Sequence, residues 1–203
     1  MNSRALRLPP QVAIAALAVV LLLTGGCTSS PATSLYLLTA VPEPAPATRF
    51  DAPVGVGPVL LPDYLDRLQV VTRTPSGELA VSDTQRWAEP LQDGLIRVLD
   101  ENLSALLGTE RIVRFPWPRS LAPEYQVALE VLRFESGPDA MLRLDARWWL
   151  RGGNGDVILQ PHTSRIEVPT GAGADGRVHA HDKAVARLSR EIAAGLQQVA
   201  TRR

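Results

Sequence analysis

The sequence predicts an α+β fold: a mixed or antiparallel β-sheet with two amphipathic helices packed on one of its faces. Three observations carry this. The elements run strands, helix, strands, helix, which suits helices grouped on one side of a sheet. Apolar residues recur at helical spacing in two stretches, Leu91–Leu107 and Ala180–Ala200. Strict alternation appears in two others, Tyr125–Val131 and Leu142–Leu150.

Leu35-Tyr36-Leu37-Leu38 reads as a first strand. The segment 41–47, with prolines at 42, 44 and 46, is barred from a central strand and predicts an extended strap. Val54–Leu61 is nearly all apolar, as expected of a strand buried on both faces. Leu68–Thr74 and Glu78–Ser82 flank Pro75-Ser76-Gly77, a hairpin signal. Between these strands lies a loop, Pro62-Asp63-Tyr64-Leu65-Asp66-Arg67. In the first helix Pro90 suits the opening turn and Gly108 the stop. Gly94 inside it costs about 1 kcal/mol relative to alanine, which implies close packing there.

Ile112–Phe115 predicts a short edge strand. In the next strand the apolar phase slips between Val131 and Leu132, the mark of a bulge. Leu142, Leu144, Ala146, Trp148 and Leu150 then alternate with Arg143, Asp145, Arg147, Trp149 and Arg151. A turn at Asn154-Gly155 sets Leu150 opposite Leu159, both on the apolar face. The final helix presents Val185, Leu188, Ile192, Leu196 and Val199 as its stripe.

The N-terminus carries a different message. Arg4 and Arg7 precede an apolar run from Val12 to Leu23, followed by Thr24-Gly25-Gly26-Cys27. That is the order of a secretory signal peptide, and the run falls short of the roughly 20 residues of a transmembrane helix. Its end resembles the lipobox of bacterial lipoproteins, with Thr24 where leucine is usual. The division expected is residues 1–26 as signal peptide, 27–34 as lipidated N-terminus and spacer, and 35–203 as a single domain. Cys27 is the one cysteine of the 203 residues, and lipid attachment accounts for it. With Thr28 rather than aspartate next, the lipoprotein sorting rule favours the outer membrane. The 21 basic and 21 acidic residues balance. Losing Arg4 and Arg7 leaves the mature chain slightly acidic, so no basic face for nucleic acid is expected.

Other motifs carry less. Gly171-Ala172-Gly173-Ala174-Asp175-Gly176 matches G-x-G-x-x-G, but the second strand of a dinucleotide fold does not follow before Arg203, so a flexible loop is predicted. His179, His181 and Asp182 lie close together, but three or four converging metal ligands are not in view, and a helix-capping role is expected. No cofactor is expected beyond the lipid on Cys27. A G-x-S-x-G elbow is missing, and an enzyme is not expected. Trp149, on the polar side of its strand between Arg147 and Arg151, is a candidate contact, since Trp and Arg are enriched at binding hot spots. Trp87 reads either as a core plug or as a contact.

Several strings, in order, resemble the ABC-type transport auxiliary lipoprotein family, also called PqiC-like. They are Leu35-Tyr36-Leu37, residues 54–59, residues 61–67, Arg86-Trp87-Ala88-Glu89-Pro90-Leu91, residues 99–103, the Arg147-Trp148-Trp149 strand end and residues 188–192. The resemblance spans nearly the whole mature chain. It implies a non-catalytic lipoprotein on the periplasmic face of the outer membrane. Such a protein serves an ABC/MCE-type lipid-transport system that supports envelope integrity, and its partner is a periplasmic MCE-domain protein. Homo-oligomers are compatible with that role. Tyr64, Arg67, Trp87 and Glu89 lie in family-like strings and, with Trp149, are the candidate partner contacts. The competing reading is a stand-alone outer-membrane assembly or chaperone lipoprotein.

Overall fold

A computed structural model describes residues 32–202 apart from 42 and 45. Cys27 and the expected signal peptide lie outside the described residues. The strands are β1 (Ser34–Tyr36), β2 (Val54–Leu60), β3 (Gln69–Arg73), β4 (Leu79–Trp87), β5 (Ile112–Arg114), β6 (Tyr125–Ser136), β7 (Met141–Gly152) and β8 (Val157–Pro169). Helix α1 (Leu91–Leu107) follows β4, and α2 (Gly173–Ala200) closes the chain. Neither helix is long and apolar enough to cross a membrane.

One mixed sheet joins the strands. Its body runs β5–β2–β6–β7–β8, with β6, β7 and β8 antiparallel and β2 parallel to both β5 and β6. The smaller set β1–β4–β3 meets the end of β6 through one pair, Thr72 with Ser136. Alternation assigns the faces. Leu142, Leu144, Ala146, Trp148 and Leu150 are buried toward the helices, opposite Phe134, Val131, Leu129 and Val127 of β6. From above, α1 supplies Leu95, Val98, Leu99 and Leu103, and α2 supplies Val185, Leu188, Ile192 and Leu196, all fully buried. Each such side chain contributes roughly 1.5–3 kcal/mol of transfer free energy.

Several local predictions hold. Gly108 takes the left-handed conformation (φ 62°) that ends α1. The β6–β7 register shifts between Val131 and Arg133. Leu150 faces Leu159, but not through a two-residue turn at Asn154-Gly155: Gly152 N donates to Asp156 O (2.9 Å) across three residues, and the register shifts between Leu150 and Arg151. A Cβ on Gly94 would lie 3.1 Å from Glu89 Oε1 and 3.6 Å from Leu38, the close packing its place in the helix implied.

Two expectations need correction. β4 extends to Trp87, past the polar Ser82-Asp83-Thr84, because β1 pairs along its end, Ser34 with Gln85 and Tyr36 with Trp87. α2 starts at Gly173, so most of the glycine motif is the helix entrance and His179 and His181 lie inside the helix. The glycines are needed for close approach: a Cβ on Gly176 would stand 2.3 Å from the Gly171 carbonyl carbon.

The strap between β1 and β2 lies on the two helices. Leu38 is in the core, Arg97 Nη2 donates to its carbonyl (2.8 Å), and Thr39 N donates to Asp182 Oδ1 (2.9 Å). Farther along, Arg190 pairs with Glu43 (2.7 Å), Pro46 rests by Gly108, and Phe50 N donates to Leu107 O (2.9 Å).

Candidate functional site

The sheet face turned away from the helices carries a different set of side chains. β7 sends Arg143, Asp145, Arg147, Trp149 and Arg151 there, and β8 sends Thr163, Arg165 and Glu167. Trp149 is half-buried at the centre, opposite Ala128 of β6 and between Arg147 and Arg151. Cross-strand pairs neutralise part of the charge: Arg147 with Glu130 (3.4 Å), and Arg143 with Glu167 (2.8 Å) and Asp139. The Arg143 guanidinium holds the Asp139 carboxyl down at about 2. Among the described residues Arg151, Arg165 and Asp145 make no ion pair, and Asp145 stands in register with Arg165, so the face keeps free groups of both signs.

The Tyr64 loop is fastened at one end of this face. Its anchor is Glu135, a carboxylate with no solvent exposure. Glu135 Oε1 accepts from Arg73 Nε (3.0 Å) and Arg133 Nε (2.8 Å); Oε2 accepts from Tyr64 Oη (2.8 Å) and the Phe134 amide (3.2 Å). Four donors fill the lone-pair positions of one carboxylate, which is what lets a charge sit buried. Burial first, then the hydrogen bond to Glu135 and its charge, push the Tyr64 phenol well above its ordinary pKa of 10, so it remains a donor. Tyr64 shares a groove of about 560 Å³ with Leu132, Asp145, Thr163 and Arg165, which places it beside the β7–β8 surface.

The loop's other residues divide by role. Leu65 is core, while backbone bonds Leu65 N to Pro62 O (2.9 Å) and Arg67 N to Leu65 O (2.8 Å) turn Asp63, Asp66 and Arg67 outward. Arg67 is exposed and without an ion pair among the described residues.

The five candidate contacts therefore do not form one patch. Arg67 and Trp149 are presented to solvent, and Tyr64 positions the loop that presents Arg67. Trp87 offers no exposed surface: at 4% exposure it packs edge-on against His181, with ring centroids 5.2 Å apart. It is the core plug. Glu89 is held by Arg97 (2.6 Å), which also reaches Glu101 (3.3 Å) and the Leu38 carbonyl, so it braces the start of α1. Sequence reading missed Glu135, whose partners Arg73 and Tyr64 lie 62 and 71 positions away. It also missed Trp117, which lies over Gly55 and meets Phe115 edge-on (5.4 Å); the Pro116-Trp117-Pro118 string was its only signal.

Among the described residues no group of three or more His, Cys, Asp or Glu side chains is placed to hold a metal. His181 is buried between Trp87 and Phe134 rather than capping the helix.

Comparison with known proteins gives this architecture a family. The model of the ABC-type transport auxiliary lipoprotein component family matches residues 36–193. The fold is shared with the crystal structure of an uncharacterized protein (22% identity, TM-score 0.69, 82% of this chain and 99% of that one). It is shared also with a protein from Xanthomonas campestris (18% identity, TM-score 0.71, 84% and 98%). No curated protein matches the chain. The chain belongs to the ABC-type transport auxiliary lipoprotein component family.

Proposed function

We propose that this member of the family is an outer-membrane lipoprotein, lipidated at Cys27, that docks a periplasmic MCE-domain protein of an intermembrane lipid-transport system. Its role is tethering and positioning, without catalysis. The observation that supports this reading is the helix-free sheet face. That face sets Trp149 between two arginines, carries Arg151 and Arg165 unpaired, and has a loop locked beside it by a buried carboxylate. A rigid aromatic anchor with free guanidinium groups suits a partner surface bearing carboxylates. The proline strap is packed on the helices, so reach from the membrane falls to the residues between Cys27 and Ser34.

The experiment is in-cell photocrosslinking from probes placed singly at Trp149, Arg67 and, as a control on α2, the exposed Lys183. Mass spectrometry then identifies what is captured. An MCE-domain protein captured from Trp149 or Arg67 but not from Lys183, and reduced by Cys27→Ala, is the expected result. Capture of only barrel-assembly or lipopolysaccharide-transport components would replace this reading with the stand-alone one.

A further inference from the structure

A second polar site lies where the first turns of α2, the β3–β4 hairpin and the β6–β7 turn come together, with Arg73 on the border between it and the Tyr64 groove. These elements enclose a pocket of about 550 Å³. Two arginines, Arg73 and Arg177, line it with the hydroxyl residues Thr72, Ser82, Ser136 and Thr170, and its lining includes no Asp or Glu. Arg73 is already engaged by Glu135 (3.0 Å) and by the Gly77 carbonyl (2.9 Å), so the free positive charge in the pocket comes from Arg177.

Two buried polar atoms lack protein partners here. Ser136 is only 2% exposed, and its Oγ makes no hydrogen bond among the described residues. It ends β6 in register with Leu142, so its side chain points to the helix side, toward α2. Arg177 Nε is likewise buried and unpaired, while Nη2 of the same guanidinium donates to the neutral Gln85 Oε1 (3.0 Å). Arg177 makes no ion pair among the described residues. Buried donors are seldom left unsatisfied, and two in one pocket point to an acceptor that the chain does not supply. The amino end of α2, which no side chain caps, adds partial positive charge on the same side. The one acid in that first turn, Asp175, already accepts from Tyr36 Oη (3.1 Å).

We propose that this pocket binds a phosphate-class anion, with Ser136 Oγ and the Arg177 guanidinium as its principal donors. The anion replaces the Gln85 amide oxygen as the acceptor for Arg177, exchanging a neutral partner for a charged one. Phosphate of this kind has two sources, the free ion and the diester of a lipid headgroup. Position favours the headgroup. Gln85, on the pocket rim, is the strand partner of Ser34. Ser34 lies seven residues from Cys27, a span of at most about 25 Å. The preference for a membrane source rests on the lipid anchor proposed above; the site itself does not.

The test is calorimetric titration of the full chain in detergent at low ionic strength, with inorganic phosphate in one arm and glycerophosphoglycerol, a deacylated headgroup diester, in the other. One-to-one binding of either probe is expected, the diester marking a headgroup site and the inorganic ion a free-anion site. Arg177→Gln should weaken binding by roughly tenfold or more. Ser136→Ala separates ligand binding from architecture. Removing an unpaired buried hydroxyl should leave Tm unchanged or slightly raised, while affinity falls about tenfold. Arg67→Ala, on the docking face, should change nothing here even when partner capture is lost. Absence of binding by both probes at millimolar concentration would overturn the proposal. So would binding that survives both substitutions, or a Ser136→Ala protein whose Tm falls while its affinity is retained.

Discussion

Replacing Tyr64 with phenylalanine removes one hydroxyl and leaves the ring. The hydroxyl supplies one of four hydrogen bonds to Glu135, a carboxylate wholly out of solvent. A hydrogen bond to a charged group contributes about 1.5–3 kcal/mol, and a buried acceptor left short bears its desolvation cost. Tyr64 is partly exposed, so water can enter where the hydroxyl was, which puts the expected loss near the lower end, about 1.5 kcal/mol. Glu135→Gln keeps the shape and deletes the charge. Its cost should stay near 2–3 kcal/mol, below the usual figure for breaking a buried pair, because Arg73 and Arg133 are 33% and 27% exposed and can rehydrate. Combined, the two changes should be less costly than their sum by about 1 kcal/mol, since both act on one bond. Urea unfolding of the four proteins measures this. A Tyr64→Phe protein within about 0.3 kcal/mol of the parent, or additive losses, would refute the view that this bond fixes the loop.

Three further outcomes follow from the geometry. Burial lowers the His181 pKa from its ordinary 6.5 to about 4, so the unfolded chain takes up this proton first as pH falls. The group's share of stability is therefore intact above about 6.5 and declines toward pH 4, by at most roughly 3 kcal/mol. Asp182, whose pKa burial raises, acts in the opposite sense. Comparing urea unfolding at pH 7 and 4.5 in the parent and in His181→Leu isolates the histidine, and an unchanged difference would count against it. Gly55→Ala would place a Cβ 2.7 Å from the Trp117 indole and from Pro123. It should cost about 1–3 kcal/mol and shift Trp117 toward solvent, read as unfolding midpoint and emission maximum. Trp149→Ala should reduce partner affinity at least about tenfold in a pull-down, with stability changed by no more than about 1 kcal/mol; equal binding would dismiss Trp149 as an anchor.

Much of the fold was legible because its signals are local. The turn glycines near Gly155 and the apolar phase set Leu150 against Leu159, and Gly108 supplies the conformation that ends α1. What escaped depends on distant partners. The end of β4 is polar and becomes strand because β1 lies along it. The entrance of α2 looks like a loop until Gly171 and Gly176 are seen in contact. The site divides the same way. Alternation alone placed Trp149 on the open face. Glu135 instead went unnoticed, because nothing within ten residues of it announces Tyr64 or Arg73. Trp87 and Glu89 belong to family-like strings for reasons of folding, one filling the core and one bracing Arg97.

Under the anchoring proposed above, movement of membrane or partner would enter the domain as tension at Ser34. β1 resists with three paired residues. Immediately beyond it, the strap is gripped on both sides, by Arg97 of α1 at Leu38 and by Asp182 of α2 at Thr39, and again by Arg190 at Glu43. Force thus divides between two helices and runs along their lengths in shear, ahead of β2 and the rest of the sheet. The β6–β8 surface lies outside that path, so tension at Ser34 would move the proposed docking face without bending it.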